Sequence, residues 1–156
     1  MRPTLLLTAS AATLLIAGAA DLSARWADEA AIRQTVQYYF DGGKNRDSLA
    51  LRKAFHPHAR MLFAKDGSLE MVPIGEYIER VAGSRPKPGE VDRTNRRVAS
   101  VDVAGDAAIA KLELERPDML ITDYMSLLKV DGRWVIVNKI FSREQRREHV
   151  SGSRTP

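Results

Sequence analysis

Asp123, His56 and Tyr38 are the side chains of this sequence best suited to acid–base chemistry. A carboxylate in an apolar hollow removes a proton next to a carbonyl when a tyrosine or a protonated acid donates a hydrogen bond to the oxygen. Asp123 is the candidate base, Tyr38 a candidate donor, and His56 a second base, because histidine changes charge near neutral pH. Structural alternatives stay open, in which Asp123 bridges to Lys139 or a neighbouring arginine and His56 bonds the backbone.

Six aromatic or sulfur-containing residues fall on faces that are predicted to point inward. They line a ligand pocket or simply fill a core. Buried tyrosine and tryptophan require partners for their polar atoms, which favours a partly wet pocket. The candidate ligand-binding residues are Tyr39, Met61, Phe63, Tyr77, Met125 and Trp134. Tyr39 and Tyr77 are also candidate hydrogen-bond donors to a substrate.

Metal and cofactor sites are not expected. His56 and His58 would point the same way from an extended segment, but a third ligand is needed and His149 lies far away in the tail. The chain has no cysteine, which excludes disulfides, thiolate metal sites and cysteine nucleophiles. No glycine-rich phosphate loop follows a strand, so no nucleotide cofactor is predicted.

The charge pattern argues against nucleic acid as a partner. The 156 residues carry 24 Lys+Arg and 20 Asp+Glu, a formal net charge of +4, without a nucleic-acid-binding signature. A cluster of Arg93, Arg96 and Arg97 either recognises a carboxylate or phosphate or forms a solvated strand edge.

Hydrophobic periodicity predicts helices first and then strands. A helix over 27–40 is expected to stop at Gly42-Gly43, and a second helix capped by Asp47 is expected to end by Pro57. A hairpin over 61–73 and a helix from Ile74 to Gly83 follow. Four antiparallel strands are predicted over 97–104, 107–115, 121–130 and 133–141, the last with Trp134, Ile136 and Ile140 on one face.

This order predicts an α+β fold in which three N-terminal helices pack against a curved antiparallel sheet. Such a sheet encloses a conical hollow, and hollows of this kind bind small ligands.

Residues 1–20 have the pattern of a cleavable signal peptide. Arg2 precedes two apolar runs, and Ala17-Gly18-Ala19 supplies small residues for cleavage near Ala19 or Ala20. The alternatives are a membrane anchor or a core helix. The signal-peptide interpretation predicts a periplasmic or secreted protein with a domain over 27–144 and a flexible basic tail over 145–156.

Four segments resemble the nuclear transport factor 2-like (NTF2-like) superfamily, and within it the SnoaL-like or "putative lumazine-binding" group. They are the residues 28–32, 38–42, 55–59 and 123–139. The resemblance implies a cone-shaped fold with a pocket, and homodimers formed through the sheet. It does not imply one function, since the superfamily includes isomerases, dehydratases, cyclases and non-catalytic binding proteins. His58 stands where this superfamily usually has an acidic residue.

Three functions remain open on the sequence. The first is an exported domain that binds a small apolar or aromatic molecule in its cone. The second is a cofactor-independent isomerase or dehydratase with an Asp or His base and a Tyr donor. The third is a structural dimerisation module, so whether the chain is an enzyme is undecided.

Overall fold

The computed structural model describes residues 9–84, 89 and 91–146, with side-chain surroundings from Leu22 onward. The predicted signal peptide lies partly outside these residues, and the predicted tail almost wholly so. The helices are α1 (Ala9–Asn45), α2 (Ser48–Ala54) and α3 (Ile74–Gly83). The strands are β1 (Phe55–Lys65), β2 (Ser68–Pro73), β3 (Asn95–Ala104), β4 (Ala107–Glu115), β5 (Met119–Val130) and β6 (Arg133–Gln145).

The apolar stripe of α1 packs into the core as its spacing predicts, with Ile32, Val36 and Tyr39 all buried. The predicted stop at Gly42-Gly43 is wrong, because α1 continues to Asn45. A Cβ on Gly42 would lie 2.6 Å from Leu51 Cγ of α2, so this glycine permits a close helix contact instead of ending the helix.

The second and third helices match their predicted positions. The Asp47 carboxylate accepts hydrogen bonds from the backbone N–H groups of Leu49 and Ala50, as expected for an N-cap. Helix α3 buries Ile74 and Ile78 against the sheet side of the domain. The predicted α+β fold, with helices packed against a curved sheet, is confirmed.

One six-stranded sheet has the order β2-β1-β6-β5-β4-β3. Strand β1 runs parallel to β6, whereas the other neighbouring strands are antiparallel. The predicted turn at Asp131-Gly132 is present, and both residues have positive φ angles, of 49° and 75°. A two-residue hairpin of the type that matches strand twist requires such angles.

A register shift in β6 decides which side chains face the helices. Ser126 pairs with Asn138 and Leu127 pairs with Ile136, so Val137 is an extra residue without a partner in this register. The alternation therefore changes phase at Val137, and Ile140 is 47% exposed. The prediction that Ile140 shares the inward face of Trp134 and Ile136 is wrong for this reason, and Lys139 is buried instead.

Among the residues that the structure describes, no helix is both long enough and apolar enough to cross a membrane.

Candidate functional site

A cavity of about 1110 Å³, here called the cone cavity, opens between the helices and the sheet. The C-terminal turn of α1, helix α3 and strand β6 contribute to its wall, together with the loop before β3 and the turn between β4 and β5. Ligand pockets for small organic molecules have volumes of about 300–1,000 Å³. The cone cavity is therefore large enough for such a molecule.

Tyr39, Asp123 and Lys139 form a buried polar group at the base of the cone cavity, here called the basal triad. The Tyr39 hydroxyl donates a hydrogen bond to Asp123 Oδ2 over 2.7 Å. Lys139 Nζ donates to the same hydroxyl over 2.7 Å and lies 3.0 Å from Asp123 Oδ1. The predicted alternative that Asp123 bridges to Lys139 is confirmed.

The three members of the basal triad differ in their access to the cavity. Tyr39 and Lys139 belong to the cavity wall, whereas Asp123 is fully buried behind them with 0% exposure. Asp123 comes from β5, where it faces the helices together with Met125 and Leu127. A substrate would therefore touch Lys139 and Tyr39 first.

Burial shifts the pKa values of the groups around the triad. Loss of solvent lowers the pKa of Lys139, although the negative charge of Asp123 opposes that effect. Burial, followed by the charges of Tyr77 and Asp123, raises the pKa of Tyr39 well above its ordinary value. Burial and the charge of Asp123 raise the pKa of Tyr77 to about 12. The tyrosines therefore stay protonated at neutral pH, while the lysine loses its proton more readily than an exposed one.

Aromatic rings surround the Lys139 ammonium. Its Nζ lies 4.9 Å from the ring centroid of Tyr39, 5.2 Å from that of Phe141 and 5.8 Å from that of Tyr77. Distances within about 6 Å allow cation–π attraction. With Met61, these rings give the inner cavity a largely apolar wall.

The outer part of the cavity is strongly cationic. Its described wall contains eight Lys or Arg side chains and two carboxylates, Asp92 and Asp118. Asp92 holds Arg96 in place through a contact of 2.6 Å. Arg143 lies over the Phe141 ring, 4.8 Å from its centroid. The eighth cationic residue of the wall is Lys139 of the basal triad, and we name the other seven the arginine mouth: Lys44, Arg46, Arg80, Arg93, Arg96, Arg116 and Arg143.

Two members of the predicted arginine cluster, Arg93 and Arg96, belong to this mouth. Arg97 pairs instead with Glu113 on the neighbouring strand. The cluster thus divides between the wall of the cone cavity and a strand-surface ion pair.

The candidate ligand-binding residues also divide into two groups. Tyr39, Met61 and Tyr77 line the cavity. Phe63 packs against Phe141 with ring centroids 5.0 Å apart, but it is not part of the described wall. The other two, Met125 and Trp134, lie in the core.

Trp134 has a structural partner for its polar atom. Its Nε1 donates to Asp28 Oδ1 over 2.9 Å, and Lys129 Nζ donates to the same oxygen over 2.6 Å. The indole therefore connects β6 to α1 through this hydrogen bond, and Trp134 is not part of the described cavity wall.

The structure places the candidate catalytic residues His56 and Tyr38 away from the described wall of the cone cavity. His56 Nδ1 accepts a hydrogen bond from the His58 backbone N–H over 3.2 Å, in agreement with the predicted backbone alternative. The Tyr38 ring lies 5.6 Å from Lys53 Nζ. Within the described part of the chain, no group of three or more His, Asp or Glu side chains is arranged to hold a metal ion.

Lys139 was not among the residues predicted to be functional. It was predicted only as a possible ion-pair partner of Asp123. One signal was available: Lys139 is the only charged residue in the apolar run from Trp134 to Phe141. Charged side chains are rarely fully buried without a partner or a function.

The profile of a protein family described as "Putative lumazine-binding" matches residues 27–142, which is most of the chain. The chain belongs to this family. The NTF2-like superfamily resemblance is thereby confirmed, and the domain has a pocket of the kind that binds or transforms a ligand.

Relatives of this NTF2-like domain include a characterised protein and solved structures. The chain is 26% identical over 113 residues to "Aldolase FrzH" of Cladobotryum sp., and the match covers 71% of this chain and 87% of that protein. An NTF2-like protein of unknown function from Shewanella baltica OS155 is 29% identical, with a TM-score of 0.66 over 75% of this chain and 94% of its own. Another, from Silicibacter pomeroyi DSS-3, is 24% identical, with a TM-score of 0.67 and coverages of 77% and 98%, and shows the fold alone.

Proposed function

We propose that this protein is a cofactor-independent enzyme that binds a small organic anion carrying a carbonyl group and transfers protons at that carbonyl through Lys139. The observation that carries the proposal is the basal triad, because a buried lysine at the end of a large cavity is held by a carboxylate and a hydroxyl. Titratable groups with perturbed pKa values in a cleft are typical of active sites.

The wall of the cone cavity defines the class of substrate. The arginine mouth matches a carboxylate or phosphate, since guanidinium groups bind these anions through forked donors. The rings of Tyr77 and Phe141 match an apolar or aromatic body further in. The substrate class that fits both features is an aromatic or aliphatic carbonyl compound with one anionic group.

Lys139 is the group that would meet the carbonyl. An ammonium has three N–H donors, and the Tyr39 hydroxyl accepts a hydrogen bond from one of them, while Asp123 Oδ1 lies 3.0 Å from Nζ as its ion-pair partner. A further N–H is therefore available to a carbonyl oxygen in the cavity. Donation to this oxygen stabilises the negative charge that develops when an adjacent carbon loses its proton to a water molecule in the cavity, and solvent water returns a proton to that carbon when the carbonyl re-forms.

Asp123 and Tyr39 would act as positioning residues. Asp123 lies behind the wall, so it orients Lys139 and the Tyr39 hydroxyl and does not touch the substrate itself. This assignment differs from the sequence hypothesis of Asp123 as the direct base. The 26% identity to an aldolase supports carbonyl chemistry in general, because aldol reactions also proceed through proton transfer next to a carbonyl.

The test uses 4-acetylbenzoate, an aromatic ketone with a carboxylate and an exchangeable methyl group. We expect the wild-type chain to accelerate deuterium incorporation into this methyl group in D₂O, followed by proton NMR. Lys139→Met should reduce the acceleration at least about 100-fold, since positioned acid–base groups contribute that much or more. Lys65→Met, at an exposed lysine of β1, is the matched control and should leave the rate unchanged. Equal rates for wild type and Lys139→Met would contradict the proposal.

Ligand binding without turnover is the second candidate, favoured by the aromatic wall around Tyr39, Tyr77 and Phe141. Under this candidate, 4-acetylbenzoate binds to wild type but its methyl group does not exchange. The third sequence hypothesis, a dimerisation module with a filled cone, is opposed by the cavity volume of about 1110 Å³.

A further inference from the structure

We propose that Lys139 acts covalently, by forming a Schiff base with the carbonyl carbon of an aldehyde or ketone that carries a carboxylate or phosphate. This inference rests on the proposed function and deepens it, because it changes the role of Lys139 from proton donor to nucleophile. It is carried by the position of the amine, by its partners and by the distribution of charge in the cavity.

The position of the amine suits attack on a bound carbonyl. The Lys139 side chain is 7% exposed, and it belongs to the cavity wall. Contacts of 2.7 Å to Tyr39 and 3.0 Å to Asp123 hold Nζ on one side, and three aromatic rings surround it. An amine held in this way is oriented before the substrate arrives, which lowers the entropic barrier to reaction.

The amine must be neutral to attack, and the triad supplies an acceptor for its proton. Asp123 Oδ1 is buried, 3.0 Å from Nζ, and receives no well-aligned hydrogen bond from any described residue. Burial lowers the pKa of Lys139 and assists this transfer; the negative charge of Asp123 opposes this effect, and the positive charge of Arg143 adds to it to a smaller extent. Desolvation and a neighbouring cation are known means of activating a lysine nucleophile.

The step balances without any further reactant. The Nζ lone pair forms a bond to the carbonyl carbon, and the π electrons of the C=O bond move to its oxygen. Two of the three ammonium protons leave with that oxygen as water, one of them by way of Asp123 Oδ1. The iminium product keeps the third proton and the positive charge.

The ion pair is poorly explained by stability alone. A buried ion pair gains little over well-packed apolar residues, since desolvation of both charges offsets their attraction. Lys139 also stands in a strand whose neighbours Trp134 and Ile136 are buried and apolar. A reactive amine is a specific reason for a lysine at this place.

The experiment is reductive trapping of the full-length wild-type chain with 4-formylbenzoate and sodium cyanoborohydride at neutral pH. Peptide mass spectrometry then locates the reduced adduct. We expect Lys139 to be labelled at least about tenfold faster than the exposed Lys53 and Lys65, because its amine is held in place at the cavity wall before the aldehyde arrives. Benzaldehyde, which lacks the carboxylate, should label Lys139 more slowly.

Three variants separate the chemistry from general surface labelling. Lys139→Arg should remove the main adduct, and Lys65→Arg should not. Asp123→Asn should slow trapping at Lys139 and shift the pH dependence of the trapping rate. Circular dichroism measures the folded fraction of this variant. A loss of folded protein alone would lower the yield of adduct without shifting its pH dependence.

Failure of this inference is distinguishable from failure of the proposed function. Labelling of Lys53 and Lys65 with an unlabelled Lys139 in wild type overturns the Schiff base. If methyl exchange in 4-acetylbenzoate still depends on Lys139 in that case, the non-covalent proposal stands. Trapping at Lys139 without any exchange supports the nucleophile and contradicts the proposed turnover.

Discussion

At the scale of residues, the basal triad is the feature that links folding to chemistry. The hypothesis of a carboxylate with a tyrosine donor placed Asp123 on a strand without deciding which face of that strand points inward, and Tyr39 was among the candidate donors. Lys139 could not be placed from the sequence, because a single extra residue at Val137 reverses the faces of β6. Periodicity shows where a strand is, but it does not show where a bulge interrupts the alternation.

The ion pair at this site leads to a prediction about stability. Lys139→Met leaves the buried Asp123 charge without its partner and should lower the free energy of unfolding by about 3 kcal/mol or more. The double variant Asp123→Asn/Lys139→Met should be more stable than Lys139→Met alone, since no buried charge is left. Urea denaturation at neutral pH measures both effects. Strictly additive losses would show that the two side chains do not interact.

Tyr77 leads to a prediction about pH. Its pKa of about 12 in the folded chain lies above its ordinary value of 10.0. The unfolded chain therefore binds fewer protons between these values, so stability is fully present below about pH 10 and falls as the pH rises toward 12. Tyr77→Phe removes this contribution.

Between pH 10 and 12, the wild-type chain should lose about 2 kcal/mol more unfolding free energy than Tyr77→Phe. Denaturant unfolding at several pH values provides the measurement, and Tyr38→Phe is the control at a tyrosine outside the cavity wall. Parallel pH curves for wild type and Tyr77→Phe would contradict the assignment of Tyr77 as a partly buried group that stays protonated below its raised pKa.

At the scale of elements, local sequence signals gave most of the helices and strands. Apolar stripes, the Asp47 cap and the turn residues act within a few positions of one another, so a sequence pattern can show them. The parallel pairing of β1 with β6 joins residues about 80 apart in the chain, and no local pattern specifies it. The end of α1 was also misplaced, because the reason for Gly42 is a contact with another helix.

Gly42 and Gly43 form a matched pair for testing that contact. Gly42→Ala would place a Cβ 2.6 Å from Leu51 Cγ and 2.9 Å from the Leu51 backbone nitrogen, and should destabilise the fold by about 1–3 kcal/mol. Gly43→Ala meets nothing within 4 Å and should stabilise the helix by about 0.5–1 kcal/mol. Thermal or urea unfolding of both variants measures these changes in the free energy of unfolding. The same effect at both positions would mean that α2 does not pack closely on Gly42.

At the scale of the whole molecule, the cone fold can be predicted from the order of its helices and strands, but the charge of the cavity wall cannot. Sequence spacing placed three helices before a long sheet. It did not show that cations from α1, α3, β6 and the connecting loops meet around one opening. These residues are far apart in the chain, so only the tertiary structure brings them together.

The signal peptide over residues 1–20 remains a proposal. The exposure of the residues that follow it suggests a test of whether the domain folds equally well without it. Leu22 and Trp26 are 56% and 62% exposed, and Ile32 is the first buried core residue of α1 among the described side chains. We therefore expect a chain that starts at residue 21 to have the same melting temperature as the full-length chain. A large loss of stability would favour the alternative of a core helix, and the intact mass of the chain from its host would test cleavage.

We also propose that two copies pair through the outer face of the sheet. Tyr124 and Ile140 lie directly opposite each other on β5 and β6, and both are exposed, together with Ile109 and Leu128. Light scattering should give the mass of a dimer for wild type and of a monomer for Ile140→Glu. A wild-type monomer at all concentrations would contradict this proposal.

We propose that the basal triad acts on the carbonyl of an anionic substrate held by the arginine mouth. A crystal structure of the protein with bound 4-acetylbenzoate would show this arrangement. We expect the ketone carbon or oxygen in contact with Lys139 Nζ and the carboxylate beside Arg93 or Arg96. A ligand with its carboxylate at Lys139 and its ketone toward solvent, or one bound outside the cone cavity, would contradict it.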